Sequence, residues 1–239
     1  MKVAIIGYGK MGKAIETILL QKGHTIPLKI NIENQYDLTT AALQLCDVAI
    51  EFTGAQSAQQ NITACLLAGI PIVSGSTGWL QNFDHIKNYC IQQNGTLLYA
   101  SNFSIGVNIF FEINILLAKL MANQTQYSIE VEEIHHTEKK DAPSGTAISL
   151  ADQLMHNNPF KTNWVNNATS NANELPIISK RIDPAPGTHT VTYNCDIDTI
   201  EIKHTAHNRV GFASGAVLAA EFIVHKKGIF SMKDVLGIS

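Results

Sequence analysis

A glycine-rich turn near the start of the chain limits the possible folds more than any other feature. The apolar run Val3-Ala4-Ile5-Ile6 predicts a strand, and it is followed at once by Gly7-Tyr8-Gly9-Lys10-Met11-Gly12, which fits the pattern G-x-G-x-x-G. Apolar residues at helical spacing come next. A strand, a tight turn and a helix N-terminus in this order predict a binding site for the pyrophosphate of a dinucleotide.

The three glycines have different expected roles. We expect Gly7 to make the tight turn, Gly9 to let the backbone approach the pyrophosphate, and Gly12 to allow close packing of helix on strand. The predicted cofactor-binding loop also contains Tyr8, Lys10 and Met11. The alternative is a glycine-rich turn that binds nothing.

The residue expected to contact the adenosine ribose is Asn31. An acidic residue about 20 residues after the turn usually binds the ribose 2′-hydroxyl and favours NAD. Asparagine can hydrogen-bond that hydroxyl and does not repel a 2′-phosphate. Lys29 and Lys10 are candidates for contact with such a phosphate, or are simply solvated surface residues. The sequence therefore predicts NADPH or NADH as the cofactor and does not choose between them.

The first hundred residues continue to alternate strand and helix patterns, which predicts a parallel sheet with helices on both faces. Ligands of such sheets bind at the carboxyl ends of the strands. Predicted strands end at Phe52-Thr53, at Gly75-Ser76-Thr77-Gly78 and at Ala100-Ser101-Asn102-Phe103. These turns are candidates for a nicotinamide–ribose pocket, although each is also compatible with ordinary turn chemistry.

Several local elements are predicted less directly. Asp37 is expected to cap a short helix that ends near Leu45. Pro27 within a predicted strand suits the start of a strand or an edge strand. Residues 157–173 are rich in asparagine and are expected to form a solvated loop.

The pattern changes after Asn102. A helix, a long alternating strand, a second helix and then three strand patterns between residues 177 and 205 predict a mixed or antiparallel sheet. The expected fold class is α/β, with an N-terminal Rossmann-type dinucleotide-binding domain plus a smaller α+β domain with a mixed sheet.

Charge and cysteine usage exclude some classes of protein. The formal net charge is −3, which gives no support to nucleic-acid binding. We find no signal-type segment and no apolar run long enough to span a bilayer. The cysteines Cys46, Cys65, Cys90 and Cys195 are widely spaced, as expected for buried thiols in a reducing compartment. We therefore expect a cytoplasmic protein with no membrane or nucleic-acid partner.

The stretch from Glu133 to Ala147 combines several groups that can carry chemistry. It contains His135, His136, Lys139 and Lys140, a cationic cluster in an acidic chain. Ser144 is a good N-cap, so Gly145 and Thr146 should offer free backbone N–H groups that suit a carboxylate. Zinc binding by the two histidines is an alternative, but no third ligand stands at a convincing spacing, and no metal is predicted.

This stretch reads Glu-x-His-His-x-x-Lys-x-Asp-Ala-Pro-Ser-Gly-Thr-Ala and closely resembles the signature of the dihydrodipicolinate reductase family. The resemblance covers nearly the whole chain and includes the glycine turn with Met11, the turn Gly75–Gly78, Ala100–Ser104 and Phe212–Ala216. Two positions depart from the family pattern. Lys140 replaces an apolar residue, and Asn31 replaces the acidic ribose contact, which bears on cofactor preference.

The resemblance implies a reaction and a set of roles. A nicotinamide cofactor would reduce 4-hydroxy-tetrahydrodipicolinate, a cyclic dicarboxylate, with loss of water, in diaminopimelate and lysine biosynthesis. By resemblance, His135 is the acid/base residue, His136 binds substrate and Lys139 donates a proton. Gly145 and Thr146 then hold a substrate carboxylate.

The resemblance also implies a domain arrangement. Residues 1–103 and 213–239 are expected to form the dinucleotide-binding domain, and residues 104–212 the substrate-binding and oligomerisation domain of a homotetramer. Two rival interpretations remain. One is another two-domain NAD(P)-dependent oxidoreductase, and the other is a non-catalytic dinucleotide-sensing regulator. Neither needs the residues from His135 to Thr146.

Overall fold

The computed structural model describes residues 1–208 and 210–238. Arg209 and Ser239 lie outside the described residues. The chain divides into two compact units, one formed by Met1–Ile105 with Val210–Ser239 and the other by Gly106–Arg209. In the described part of the chain, no helix is long and apolar enough to cross a membrane.

Strands and helices follow one another through most of the chain. In chain order the strands are β1 (Lys2–Ile6), β2 (Thr25–Ile30), β3 (Val48–Glu51), β4 (Ile72–Ser74), β5 (Thr96–Tyr99), β6 (Ser128–His135), β7 (Asn163–Val165), β8 (Glu174–Arg181), β9 (Gly187–Asn194), β10 (Thr199–Ala206) and β11 (Gly228–Phe230). The helices are α1 (Lys10–Gln21), α2 (Thr40–Leu43), α3 (Ala55–Leu67), α4 (Phe83–Gln92), α5 (Ile105–Met121), α6 (Gly145–Asn157), α7 (Val210–Ile223) and α8 (Met232–Leu236).

The first unit is built on a six-stranded sheet in the order β11-β5-β4-β3-β1-β2. Every neighbouring pair is parallel. β2 lies on one side of β1 and β3 lies on the other, so the order of strands in the sheet reverses at β1. This reversal creates a crevice at the carboxyl ends of β1 and β3, where open α/β sheets bind their ligands.

Both faces of this sheet are buried, which explains the unbroken apolar run of β1. Val3 and Ile5 pack into a core with α1 and α7, whereas Ala4 and Ile6 pack into a second core with α3 and α4. Each fully buried valine or isoleucine side chain contributes roughly 1.5–3 kcal/mol. The sheet is therefore a stable support for the turns at its carboxyl edge.

Two local predictions in this unit have definite outcomes. Pro27 lies in β2, which is an edge strand, as expected. The prediction that Asp37 caps a helix is wrong, because Asp37 ends a 3-10 turn over Gln35–Asp37. The N-cap of α2 is Thr39, whose hydroxyl accepts a hydrogen bond from the Ala42 N–H at 3.2 Å.

The second unit contains a five-stranded sheet in the order β10-β9-β6-β8-β7. β10 and β9 are antiparallel, as are β9 and β6, whereas β6, β8 and β7 run parallel. The predicted mixed sheet is confirmed. One face carries a core in which α5 and α6 cover Val131, Ile177 and Val191.

The asparagine-rich stretch is not wholly a loop. β7 forms within it and pairs with β8 through Trp164 and Leu175. Trp164 is half-buried and packs against the core, so a single apolar anchor brings this polar segment to the sheet edge. The sequence did not predict β7 because the composition of this stretch is mostly polar.

Candidate active site

The glycine turn lies at the crevice between β1 and β3 and is packed too tightly for side chains. Gly7 has a φ of +98°, in the left-handed region. A Cβ on Gly7 would lie 2.1 Å from the Phe52 carbonyl oxygen, and a Cβ on Gly12 would lie 2.4 Å from the Gly7 carbonyl oxygen. These contacts match the structural roles expected of Gly7 and Gly12.

Gly9 differs from the other two glycines because it faces open space. A Cβ placed there would meet nothing within 4 Å. Gly9 is the N-cap of α1, and no side chain of the described residues caps this helix. The first backbone N–H groups of α1 have no acceptor within the helix. Open space in front of a helix N-terminus fits an anionic group such as a pyrophosphate.

A cleft of about 640 Å³ extends from this turn across the ends of β1, β2 and β3. Of the predicted cofactor residues, it is lined by Gly7, Tyr8, Gly9, Asn31, Phe52 and Thr53. Lys10, Met11 and Gly12 are not among its lining residues. Met11 packs instead against the core of α1 and α7. The structure thus brings six of the sequence-predicted residues around one cavity.

Asn31 stabilises the turn that follows β2 and forms one wall of the cleft. Its side-chain oxygen accepts hydrogen bonds from the N–H groups of Glu33 (2.8 Å) and Asn34 (3.1 Å). Lys29 is not a free cation here, because its ammonium lies 3.1 Å from a Glu16 carboxylate oxygen. The same carboxylate accepts a short hydrogen bond from Tyr8. The charge of Lys29 is therefore largely offset within the protein.

Glu51 is a buried carboxylate that the sequence analysis missed. It is fully buried, and it accepts hydrogen bonds from the hydroxyls of Ser74 (2.7 Å) and Ser76 (2.6 Å) and from the Thr53 N–H (2.8 Å). The Thr53 hydroxyl also donates to Glu51 in a short contact. Glu51 thereby fixes the ends of β3 and β4. The Thr53 hydroxyl oxygen in turn accepts from the Ser57 hydroxyl (3.0 Å) and the Asn61 amide (3.3 Å), so this hydroxyl is fully bonded within the protein.

The other predicted cofactor residues follow β4 and β5 at the same edge of the sheet but do not line the cleft. They are Gly75, Ser76, Thr77, Ala100, Ser101, Asn102 and Phe103. A Cβ on Gly75 would lie 2.2 Å from the Phe52 ring, and the Phe52 and Phe103 ring centroids are 5.5 Å apart. Phe103 is only 2% exposed, so its side chain belongs to the core.

In the second unit, the buried face of β6 carries an acid and a histidine. Its residues alternate between buried and more exposed positions, which places Ile129, Val131, Glu133 and His135 on one face. His189 of β9 stands directly opposite Glu133, and Arg181 of β8 stands opposite His135. The sheet register therefore brings residues from three strands to one place.

Glu133 is the centre of this group. Its carboxylate is fully buried and accepts a hydrogen bond from the Ser144 N–H at 3.0 Å. One carboxylate oxygen lies 3.4 Å from His135 Nδ1 and 3.8 Å from His189 Nε2. The other lies 3.4 Å from the Arg181 guanidinium. Burial acts to raise the pKa of Glu133, but hydrogen bonds from Ser144 and Ser179 and the charge of His135 lower it overall.

Both buried histidines favour the neutral form. Burial lowers the pKa of His135, an effect that the charge of Glu133 opposes and that Lys139 and Arg181 reinforce. Burial and the neighbouring His135 lower the pKa of His189 to about 4. A neutral imidazole donates a hydrogen bond from one ring nitrogen and accepts one at the other.

Lys139 and Arg181 organise the loop that follows β6. The Lys139 ammonium lies 2.8 Å from each carboxylate oxygen of Asp141. This hydrogen-bonded ion pair lowers the pKa of Asp141. Arg181 donates to the backbone carbonyls of Lys139 (3.3 Å) and Asp141 (2.6 Å). Arg181 therefore anchors the loop while it faces Glu133.

The predicted helix N-terminus is present at the end of this loop. Ser144 is the N-cap of α6, and its hydroxyl accepts from the Ala147 N–H at 3.2 Å and lies 3.1 Å from His189 Nε2. Gly145 is exposed, and a Cβ there would meet nothing within 4 Å. Thr146 is half-buried in the first turn. Open space again lies beside a helix N-terminus.

His136 does not join this cluster. It is half-buried, and its carbonyl oxygen accepts from the Lys139 N–H at 3.2 Å. The groups that approach the spacing of metal ligands are instead Glu133, His135 and His189, whose candidate ligand atoms lie within 4.8 Å of one another. Since Glu133 is already bonded to Ser144 and faces Arg181, we interpret the cluster as a polar network and not as a metal centre.

Sequence reasoning missed Glu133, Arg181 and His189 as members of the site. Glu133 carried a usable signal, because it stands two residues from His135 in a predicted strand and must share its face. Arg181 and His189 carried no such signal in the sequence. Their proximity depends on the pairing register of β8 and β9.

Comparison with known families and proteins matches both units. Residues 1–103 match the family model described as dihydrodipicolinate reductase, N-terminus, and residues 106–236 match dihydrodipicolinate reductase, C-terminus. A 4-hydroxy-tetrahydrodipicolinate reductase from Christiangramia forsetii is 48% identical over 238 residues, which covers 99% of this chain and 98% of that protein. One from Methanosarcina acetivorans is 36% identical, covering 99% of this chain and 89% of that protein.

Solved structures show the same fold. A dipicolinate-bound dihydrodipicolinate reductase from Paenisporosarcina sp. has a TM-score of 0.76 at 21% identity and covers 97% of both chains. A scyllo-inositol dehydrogenase from Lactobacillus casei with bound NAD(H) and scyllo-inositol has a TM-score of 0.56 at 13% identity, covering 99% of this chain and 93% of that one. At these identities the likeness concerns the fold alone.

Proposed function

The chain belongs to the dihydrodipicolinate reductase family, and from this membership we propose that it is a 4-hydroxy-tetrahydrodipicolinate reductase. The reaction consumes one hydride from NADH or NADPH and one proton, and it releases tetrahydrodipicolinate, oxidised cofactor and water. This step serves diaminopimelate and lysine biosynthesis. The 48% identity to a reductase of that name over nearly the whole chain is the observation that carries the assignment.

The cofactor is proposed to bind at the carboxyl edge of the sheet in the first unit. The space beside Gly9 and the cleft lined by Asn31 and Thr53 fit a dinucleotide. In this proposal the N–H groups at the start of α1 hold the pyrophosphate, and the turns after β4 and β5 lie along the nicotinamide end. When bound, the nicotinamide supplies the hydride.

The substrate is proposed to bind beside the start of α6. Ser144 donates its N–H to Glu133, two residues from His135, so the catalytic histidine and the helix N-terminus belong to one network. The N–H groups of Gly145 and Thr146 would hold one carboxylate. The dipicolinate bound to a reductase of similar fold supports a planar dicarboxylate as the type of ligand.

Three side chains are proposed to act on or bind the substrate. His135 is the acid/base residue, and its buried neutral ring can accept or relay a proton. Lys139 is the proton donor for the position that becomes electron-rich as the hydride is added. His136 is the residue that binds the substrate without a part in proton transfer. Asp141, which pairs with Lys139, would hold the ammonium in place until substrate enters.

A coupled assay tests the reaction. The preceding enzyme of the pathway would make the substrate in situ from pyruvate and aspartate semialdehyde, and cofactor oxidation would be followed at the nicotinamide absorbance. We expect oxidation that depends on both the substrate and the protein. A folded protein that gives no turnover above the no-enzyme control with either cofactor would refute the proposed reaction.

The cellular context belongs to the same proposal. We propose a cytoplasmic homotetramer that has no nucleic-acid or membrane partner. Light scattering after size exclusion, with a 26.1 kDa chain as the unit of mass, tests the assembly. A monomer at micromolar concentration would contradict it.

A further inference from the structure

The contacts of His135 point to a positioning role for Glu133. His135 Nδ1 is buried and makes no hydrogen bond to any described residue. It lies 3.4 Å from the Glu133 carboxylate oxygen that also accepts from Ser144. A buried ring nitrogen with no partner costs roughly 1–3 kcal/mol, which a small rotation of the ring toward Glu133 would recover.

We infer that Glu133 is a positioning residue that fixes His135 as the Nδ1-protonated tautomer and leaves Nε2 free to exchange a proton. This inference rests on the proposed function, because it takes His135 as the acid/base residue. A carboxylate accepts hydrogen bonds and does not donate them. The opposite tautomer would direct a bare nitrogen lone pair at a buried negative charge. Carboxylate-oriented histidines of this kind serve as proton-transfer groups in other enzymes.

Gly187 borders the other edge of the ring, which carries Nε2. A Cβ on Gly187 would lie only 3.1 Å from His135 Nε2, so a glycine at the start of β9 leaves this edge uncrowded. The His189 ring stands edge-on to His135, with centroids 5.1 Å apart at an interplanar angle of 71°. This arrangement limits rotation of the His135 ring away from Glu133.

His189 does not compete for the carboxylate. Its Nε2 lies 3.8 Å from Glu133 but 3.1 Å from the Ser144 hydroxyl. It is also the more deeply buried histidine, and burial lowers its pKa to about 4, so it stays neutral. Glu133 is therefore left to face His135 and Arg181.

The charged and titratable groups that face His135 come from its own strand, from β8, from β9 and from the loop after β6. They are Glu133, Arg181, His189, Lys139 and Asp141. Of these, Glu133 and Asp141 raise the pKa of His135, and Glu133 has the larger effect. Removing the negative charge of Glu133 should therefore lower the pKa of His135 further.

The test compares Glu133→Gln with Glu132→Gln. Glu132 is the neighbouring residue on the opposite face of β6, where it pairs with Lys180, so it is a matched control. Nitrogen-15 NMR of the histidine rings reports tautomer and titration without substrate. We expect Nδ1-protonated His135 in the natural protein, and in Glu133→Gln a mixed tautomer and a titration moved to lower pH. The control should behave as the natural protein.

Kinetics separate this role from a purely structural one. In the coupled assay Glu133→Gln should lower kcat by at least about tenfold with little change in the substrate KM. An Nε2-protonated His135 in the natural protein overturns the inference, even if the variant fails to fold. A folded Glu133→Gln variant in which His135 keeps its natural tautomer and its natural titration also overturns the inference. If the natural protein shows no turnover, the proposed reaction fails, while the NMR measurements still decide the role of Glu133.

Discussion

The carbonyl oxygen of Phe52 occupies the space into which any side chain on Gly7 would project, at 2.1 Å from the position of a Cβ. This contact joins the end of β3 to the turn after β1 at the crevice of the parallel sheet. The glycine is thus required by the fold before any ligand binds. Gly9, two residues later, faces open space and has no such structural role.

This difference predicts two classes of glycine variant. Gly7→Ala and Gly12→Ala should destabilise the free protein by about 2 kcal/mol or more, because a backbone oxygen must move in each case. The corresponding fall in Tm is about 4 °C or more. Gly9→Ala should cost about 1 kcal/mol or less, as expected for an N-cap glycine, yet weaken cofactor binding at least about tenfold. Thermal unfolding and calorimetric titration measure the two effects.

A Gly9→Ala variant that binds cofactor as the natural protein does would show that the start of α1 does not hold the pyrophosphate. An unchanged Tm for Gly12→Ala would show that α1 can shift away from the turn at little cost.

Cofactor preference should be weak. Asn31 can bond a ribose hydroxyl without repelling a 2′-phosphate, and the charge of Lys29 is offset by Glu16. We expect calorimetric dissociation constants for NADH and NADPH within about tenfold, or 1.4 kcal/mol. A difference of about a hundredfold or more would contradict this description of the pocket.

Asn31→Asp tests the same pocket with a charge. The new carboxylate keeps the acceptors for the N–H groups of Glu33 and Asn34, so the turn should survive. It should weaken NADPH binding at least about tenfold and leave NADH nearly unchanged. Asn82→Asp, at the start of α4 and outside the cleft, is the control and should alter neither affinity.

The sequence pattern predicted those parts of the molecule whose structure depends on residues close together along the chain. The strand β1, the glycine turn and α1 follow from period and spacing, as does the N-cap Ser144. The group around Glu133 does not, because His189 and Arg181 reach it through strand register. Glu51 was missed for a related reason, since its hydroxyl partner Ser76 follows a different strand.

The start of α6 should bind planar dicarboxylates. Pyridine-2,6-dicarboxylate is expected to inhibit competitively against substrate, with one carboxylate at the N–H groups of Gly145 and Thr146. Thr146→Val keeps the shape of the side chain and removes the hydroxyl, so the inhibition constant should rise by about tenfold. Ser149→Ala removes a hydroxyl that bonds the Gly145 carbonyl on the same helix and serves as the control. An unchanged inhibition constant in Thr146→Val would exclude its hydroxyl as a ligand.

The loop after β6 offers two candidates for the proton donor, His135 and Lys139. Lysine carries a proton at neutral pH and can both donate it and attract a carboxylate. The Lys139 ammonium is paired with Asp141, which precedes the Ser144 N-cap of α6 by three residues. Lys139→Met keeps the aliphatic stem and loses the charge. If the lysine donates the proton, kcat should fall by roughly a hundredfold or more, the usual scale for a lost general acid.

Steady-state kinetics with a neighbouring control decide between donor and anchor. Lys140→Met removes a charge from the next, exposed residue and should leave kcat within about twofold. Cofactor affinity should hardly change in either variant, because the proposed nucleotide site lies on the first unit. If Lys139→Met keeps near-normal kcat and only raises the substrate KM, the lysine is an electrostatic anchor for the substrate carboxylate. The proton would then come from His135, whose Nδ1 faces Glu133, or from a bound water.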